Sequence, residues 1–346
     1  MNERDPKFAA ERKKLMQTPV NQIQLHDKMS LRELVDNFST MSIQARNLGN
    51  AAKIWERMLT DEERPTIFLG LTGPLIAAGL RNILSDIVKK TMVDVVVSTG
   101  AIVYQDLLYA RGGLHYHGRS ANIDDKKLRD LRINRIYDVF SDDILFFETD
   151  DFVDKYTQNN MEPGNYSSRE FLRELSKDIT DDNSILKACY DNDTPLFVPA
   201  LNDSSIGIGL TKYWANNMGK PMVTIDSIKD NYEMVQIIIN STKTGAVYIG
   251  GGVPKNFIND AIVMANFDFG AAVEGHKYAI QVSTAIPMDG GLSGSTLGEA
   301  IAWGKVEGDA RKAMVYMEAS VGLPLIFGYL VVNNKMQKRT RMNFQF

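Results

Sequence analysis

Two hydrophobic periods alternate along this chain. Short solid runs of apolar residues are followed by segments in which apolar positions recur every three or four residues. Thr66–Leu71 (TIFLGL) predicts a buried strand that ends in Thr72-Gly73-Pro74. Pro74 suits the first turn of a helix expected over 75–89. A second strand is expected over 92–97, ending in Ser98-Thr99-Gly100, and a helix leads from it to Arg111. Runs at 196–199, 222–225, 246–249, 278–282 and 313–317 repeat the theme. Several end in Gly, Ser, Thr or Asp, the small or polar groups that a ligand crevice needs. Strands separated by helical segments imply right-handed crossovers and a mostly parallel sheet, and so an α/β fold.

Helix starts are marked by three Ser/Thr-x-x-Glu capping boxes: Ser30–Glu33, Ser167–Glu170 and Thr296–Glu299. After the first, Leu31, Leu34, Val35, Phe38 and Met41 fall on one helical face, and a second helix carries Ala51, Ile54, Trp55 and Met58. Residues 112–166 break the rhythm. Here 112–125 predicts a loop, 128–139 a helix and 141–164 an acidic excursion. Such an insertion covers an active site or builds a subunit contact, and the sequence leaves both open. Residues 1–22 are charged, without an apolar period, and are expected to be an arm. With no internal repeat or low-complexity linker, 23–346 is expected to form one domain.

Of 346 residues, 44% are hydrophobic and 24% charged, an ordinary composition for a chain that buries a sizeable core. The net charge of −4 argues against nucleic acid as a partner. No apolar run reaches the ~18 residues of a membrane span. The single Cys189 excludes an internal disulfide framework and fits a reducing compartment, so a cytoplasmic location is expected.

The chemistry concentrates in 279–306. The strand is followed by Ser283-Thr284-Ala285, a loop containing Asp289-Gly290-Gly291-Leu292-Ser293-Gly294, the capping box, and Trp303-Gly304-Lys305. Glu299 and Trp303 are four apart and share a helix face. Gly304 lets the chain leave the helix and turn Lys305 toward the same pocket. An indole beside a carboxylate binds an alkylammonium ion, the cation–π part contributing ~0.5–2 kcal/mol. A lysine beside a bound polyammonium and away from water sheds its proton more readily, and then attacks carbon to form an imine. Taken alone, a lysine near a helix end is a solvated charge. Gly250-Gly251-Gly252 stands between a strand and a helix, where its amides either meet a pyrophosphate or make a plain tight turn. A G-x-G-x-x-G fingerprint is missing. His115 and His117 flank Tyr116 and would share one side of an extended strand, but no further ligands complete a metal set, so no metal is expected.

The segment from Thr296 to Val306, with its Glu299 and Trp303-Gly304-Lys305, resembles the catalytic segment of deoxyhypusine synthase. The resemblance runs from about Gln44 to Leu325 and includes Ala45-Arg46-Asn47-Leu48-Gly49, Ile133-Asn134-Arg135-Ile136, Pro199-Ala200-Leu201-Asn202-Asp203 and Ile249-Gly250-Gly251-Gly252-Val253. It implies a Rossmann-like, doubly wound sheet with helices on both faces, and a homotetramer with sites between paired subunits. It also implies NAD as cofactor and a polyamine such as spermidine as donor. By motif match Lys305 is the imine-forming lysine, and Glu299 and Trp303 hold the polyamine. Gly290 and Gly291 belong to the glycine loop of that pocket. Gly73, Pro74, Ala77, Thr99, Gly100, Ala101, Asp203, Gly251, Thr284, Ala285, Glu318 and Ala319 fall at dinucleotide positions, with Asp203 serving a ribose hydroxyl.

Several positions depart from the family pattern. Ile208 and Leu292 replace aspartates of the polyamine pocket, Asn256 replaces a histidine, and Asp260 stands where the family has asparagine. Two lost carboxylates remove most of the charge that would hold a triammonium chain. The loop resembles that of the bacterial deoxyhypusine synthase-like branch, some of whose members are thought to make homospermidine. The expected activity is therefore aminobutyl transfer through a Lys305 imine to a small amine such as putrescine. The alternatives are transfer to a lysine of the hypusine-containing translation factor, or a non-catalytic dinucleotide-binding protein.

Overall fold

The structure, a computed structural model, describes residues 6–118, 123–332 and 339–346. In these residues there are eleven strands: β1 (Thr66–Leu71), β2 (Val95–Ser98), β3 (His115–His117), β4 (Ile133–Ile136), β5 (Val139–Asp142), β6 (Gly164–Tyr166), β7 (Leu196–Phe197), β8 (Val223–Ile225), β9 (Thr244–Ile249), β10 (His276–Val282) and β11 (Val306–Val315). Six form one sheet in the order β11-β10-β9-β1-β2-β7, every neighbouring pair parallel.

Strict side-chain alternation explains why both faces are covered. Ile67, Leu69 and Leu71 of β1, with Val96, Val247 and Ile249 from its neighbours, pack with the helices Ile43–Thr60 and Ala319–Val332. Phe68, Val95, Val97, Ala246 and Tyr248 point the other way, onto the helices Ser227–Ile239 and Gly252–Phe267. The α/β architecture with a doubly covered parallel sheet is thus as the pattern predicts.

Some expectations need correcting. The helix expected over 75–89 begins only at Arg81. Before it a single turn closes, with the Ala78 amide donating to the Pro74 carbonyl, and Gly79 in a left-handed conformation (φ +86°) separates the two. The strand at 222–225 pairs with β6 in a small sheet of its own. The expected helix over 128–139 is instead a short Asp125–Asp130 helix capped by Asp124, followed by β4 and β5, which pair antiparallel, with β3 on the other side of β5. Arg132 and Tyr137, both at φ +56°, end the helix and turn the hairpin. The acidic stretch is an 18-residue helix, Asp143–Asn160, with the Asp142 carboxylate capping the Ile144 amide at 2.9 Å. It packs on the helix Ser205–Asn216, where a side chain at Gly209 would strike the Asp150 carbonyl at 2.7 Å. At the amino end, Pro6–Leu15 forms a helix with no buried residue.

Candidate active site

The residues at the expected dinucleotide positions follow the carboxyl ends of the parallel strands, at one end of the sheet. The ladder is carried to its rim: the Thr72 amide donates to Ile249, Thr99 to Leu71, Gly250 to Val282 and Ser283 to Val315. Gly73 lies just past β1 at φ +100°, with no atom within 4 Å of where a side chain would begin. Pro74 and Ala77 follow in the turn, the Ala77 amide donating to Gln105 Oε1 at 3.3 Å. Thr99 stands just before the helix Gly100–Ala110, without a side-chain bond to it, and the first turn contains the exposed Ala101. Gly100 lies so close to Ser204 that an added Cβ would come within 2.5 Å of it, which brings Asp203 to the same end of the sheet. The Asp203 carboxylate makes no hydrogen bond or ion pair among the described residues. Thr284 and Ala285 continue from β10. Glu318 precedes the helix that begins at Ala319, and its carboxylate accepts from the Ser320 amide at 2.8 Å and from the Ser320 hydroxyl. Partial burial alone would raise its pKa, but those two donors and the amides of Val321 and Ala319 bring it below the usual range.

Gly250-Gly251-Gly252 makes the tight turn into the helix Gly252–Phe267, with Gly250 at φ +83°. The glycine loop lies directly on this turn, since a side chain at Gly251 would meet Ser293 Cα at 2.6 Å. Gln281 locks the two together. Its amide nitrogen donates to Gly250 O at 2.9 Å and to Ser293 O at 2.8 Å.

Lys305 is reached from this loop through a very short helix, Glu299–Ala302, started by the Thr296 hydroxyl accepting from the Glu299 amide at 2.9 Å. Gly304 then adopts φ +67°, a left-handed turn that ends the helix. The Lys305 backbone sits beside the first residue of β10, its carbonyl accepting from the His276 amide at 3.0 Å. The main chain at Lys305 is therefore at the amino end of the sheet, where the strand–loop–helix pattern had suggested the carboxyl end. Lys305 Nζ lies 2.8 Å from Asp260 Oδ1, one residue past the middle of the Gly252–Phe267 helix, and 5.3 Å from the centre of the Trp303 ring. Its side chain is 16% exposed.

Two cavities flank this amine. The outer one, about 490 Å³, is lined by Asp260, Asn256 and Asn231 among apolar groups that include Val253, Phe257, Val263, Met264 and Leu292. The inner one, about 180 Å³, is lined by Lys255, Asn259, Ser295, Thr296 and Glu299. Asn256, Leu292, Trp303 and Lys305 border both. The structure thus brings together Lys305, Trp303, Glu299, Asn256, Asp260 and Leu292. Asn256 also holds Asp260, donating to its Oδ2 at 2.6 Å. Gly290 (φ +63°) and Gly291 shape the loop without lining either cavity. Ile208 lies on another helix, 59% exposed, and borders neither.

Sequence reasoning missed Lys255. It is 2% exposed, and its Nζ donates to Gln281 Oε1 at 3.0 Å, Ser295 O at 2.5 Å and Ser295 Oγ at 3.0 Å. Burial pushes its pKa down to about 8, with Glu299 opposing and Lys305 reinforcing the shift. A signal was present: a cation in the first turn of a helix faces the positive end of the helix dipole and needs a reason to be there. His115 and His117 stand on one face of β3, with the His115 ring stacked on Tyr109, centroids 5.3 Å apart. Among the described residues no group of three or more His, Cys, Asp and Glu is placed to hold a metal, and no helix is long and apolar enough to cross a membrane.

Comparison with known proteins places this geometry. The model of the deoxyhypusine synthase family matches residues 33–330. A "Deoxyhypusine synthase-like protein" of Chlorobaculum tepidum is 44% identical over 322 residues, 92% of this chain and 91% of its own. "Probable deoxyhypusine synthase 2" of Methanosarcina mazei is 39% identical over 333 residues, 95% and 94% of the two chains. A crystal structure of a candidate deoxyhypusine synthase from Entamoeba histolytica shares the fold, with TM-score 0.63 at 22% identity, covering 91% of this chain and 99% of that one. A match across most of the chain, with the lysine, indole and carboxylates gathered at one cleft, means that this protein belongs to the deoxyhypusine synthase family.

Proposed function

We propose that this protein is an NAD-dependent aminobutyl transferase, which takes the aminobutyl group of a polyamine such as spermidine onto Lys305 as an imine and passes it to a small amine, putrescine. The observation that carries this reading is Lys305 itself, largely withdrawn from water between Asp260 and the Trp303 ring.

The residues at the carboxyl ends of the strands offer groups that suit a dinucleotide. Gly73 leaves room for close approach, whereas the space beside Gly100 and Gly251 is taken by Ser204 and Ser293. The helices starting at Gly100 and Gly252 offer free amides for a pyrophosphate. Asp203 offers an acceptor for a ribose hydroxyl, whereas Glu318 already accepts from Ser320. When bound, NAD would supply the hydride acceptor and, once reduced, the hydride donor. The chain's own residues do the rest. Trp303 and Asp260 hold ammonium groups, Leu292, Val253 and Met264 shield the alkyl chain from water, and Lys305 supplies the attacking nitrogen.

Charge favours a small acceptor. Asp260 and Glu299 are the carboxylates lining the two cavities. Leaving a third ammonium among Leu292, Val253 and Phe257 would cost several kcal/mol. Two carboxylates match a diamine acceptor. They also match the two terminal ammonium groups of a spermidine donor, whose secondary amine is uncharged when it gives up a hydride. The second reading, transfer to a lysine of the translation factor, is favoured by the Trp303 ring at the cleft mouth, 61% exposed and open to a docking protein. Assembly as a homotetramer with sites between paired subunits belongs to either reading.

The test is to incubate purified enzyme with NAD and spermidine, adding either putrescine or the factor. Homospermidine with putrescine supports the first reading, and product with the factor alone rejects it. Borohydride reduction that leaves no adduct on Lys305 would reject transferase chemistry altogether.

A further inference from the structure

Imine formation on a lysine requires the uncharged amine, so a proton has to leave Lys305 before it attacks. In the related pattern a histidine stands next to this lysine's pocket. Here that position is Asn256, which holds no exchangeable charge. Of the residues lining the inner cavity, the titratable ones are Glu299, Lys305 and Lys255.

We propose that Lys255 is the proton store of this site, taking the proton that Lys305 gives up and returning one to the departing amine. The inference rests on the transferase reading above. Its first support is placement: Lys255 and Lys305 line the same cavity of about 180 Å³, large enough for water to pass a proton between them.

The second support is the set of partners around Lys255 Nζ. Gln281 Nε2 is committed to Gly250 O and Ser293 O, which fixes Gln281 Oε1 as an acceptor facing Lys255. Ser295 O is also only an acceptor. The third partner, Ser295 Oγ, is a hydroxyl, able either to accept or to donate. As an ammonium, Lys255 gives its three protons to these three oxygens. As a neutral amine it keeps two donors for Gln281 and Ser295 O, and its lone pair accepts from the Ser295 hydroxyl in place of that hydroxyl's bond to Leu292 O, now 2.9 Å. Both protonation states are therefore fully hydrogen-bonded without moving a heavy atom.

The surroundings place the group between those states. Burial and the positive end of its own helix favour the neutral amine. Facing it, Glu299 from the short helix favours the ammonium and Lys305 opposes it. Its remaining neighbours are uncharged: Gln281 on β10, Ser295 and Thr296 in the loop, and Asn256 and Asn259 on its own helix. The resulting pKa, about 8, lets Lys255 exchange a proton near neutral pH.

The protons balance. Lys305–NH3⁺ and Lys255–NH2 become Lys305–NH2 and Lys255–NH3⁺. The Lys305 lone pair bonds to the iminium carbon produced by hydride transfer from the polyamine to NAD, and the C=N π pair moves to the substrate nitrogen. Within the adduct a proton passes from the lysine nitrogen to the leaving nitrogen. Its C–N bond then breaks, that electron pair staying on the amine, which leaves as it takes the proton from Lys255–NH3⁺.

The experiment follows the borohydride-trappable Lys305 adduct in a single turnover with NAD and spermidine from pH 6.5 to 9.5. Wild type should show a rate limb centred near pH 8. Lys255→Arg keeps the charge and donors but cannot release a proton. It should lose that limb and about 100-fold in rate at pH 7.5, with melting temperature and NAD affinity retained. Lys255→Ala should be partly restored by added methylamine. A wild-type pH profile in Lys255→Arg, or an equal loss at every pH in both variants without amine rescue, would overturn the proposal. Should wild type form no adduct, the transferase reading fails by itself. The Lys255 ¹³Cε resonance, assigned by its absence from Lys255→Arg, then decides separately, a midpoint near 8 supporting the proton store and one above 10 sinking it.

Discussion

Lys305 Nζ and Asp260 Oδ1 meet at 2.8 Å across two elements, a loop leaving a short helix and the middle of the helix that begins at the glycine turn. The contact puts a carboxylate at the nitrogen proposed to attack, where the family resemblance expects an amide. Asp260→Asn should therefore leave the covalent step in place but weaken capture of the cationic amine. The pair is partly exposed, so the loss is modest: KM for the amine should rise about fivefold, or ~1 kcal/mol, with kcat changed less. Steady-state kinetics at two salt concentrations check this, because an electrostatic effect shrinks as salt rises.

Removing the proposed nucleophile is a sharper test. Lys305→Ala should abolish turnover and the borohydride adduct, with NAD binding kept, because Lys305 is not among the residues assigned to the dinucleotide and lines the amine cavities instead. Mass spectrometry of the reduced enzyme and a dinucleotide titration read the two separately. Loss of both at once would argue that the lysine serves folding.

Leu292 borders both cavities and is 43% exposed, so a charged side chain there stays hydrated. Leu292→Asp adds a third carboxylate to the cleft. The kcat/KM ratio for a triamine over a diamine acceptor should rise about threefold to tenfold. An unchanged ratio would mean that carboxylate count does not select the substrate.

Gly251→Ala probes the seat of the glycine loop on the turn Gly250-Gly251-Gly252. Alanine there adds a Cβ where two backbones already approach closely. Its Cβ would strike Ser293 Cα at 2.6 Å, a backbone neighbour held by Gln281. The loop must lift, and NAD affinity and the rate of adduct formation should both fall at least tenfold. Calorimetric titration and single-turnover trapping measure them.

How much of this was legible follows from what each signal depends on. The sheet was readable because residues buried on both faces leave solid apolar runs, as at Ile67, Phe68 and Leu69. The gathering of Glu299, Trp303 and Lys305 was readable because helical spacing and one glycine set it locally. The β4–β5 hairpin was not, since the helix before it ends at Arg132 and its own turn contains Tyr137, non-glycine residues in left-handed conformations that carry no turn signature. Nor was the company of Lys255: its partners Gln281 and Ser295 come from a later strand and loop, and nothing in local spacing announces a contact made only in three dimensions.

His276 makes the protein's stability depend on pH in a way that separates folding from catalysis. It is fully buried at the start of β10, with Nδ1 2.9 Å from Thr244 Oγ1, its ring tilted against Phe68, and Nε2 without a partner among the described residues. Burial pushes its pKa down to about 3 from an ordinary 6.5. Between those values the unfolded chain holds a proton that the folded one refuses, so stability rises with pH through that window. The contribution is complete above about 6.5 and is lost progressively as pH falls toward 3. At pH 5 the loss is about 2 kcal/mol, at ~1.4 kcal/mol per unit. His276→Gln keeps a partner for Thr244 and cannot take up a proton. Denaturant melts at pH 7.5 and pH 5 should show wild type losing more stability than His276→Gln over that interval. If both lose the same amount, His276 is not the group that makes the fold acid-sensitive.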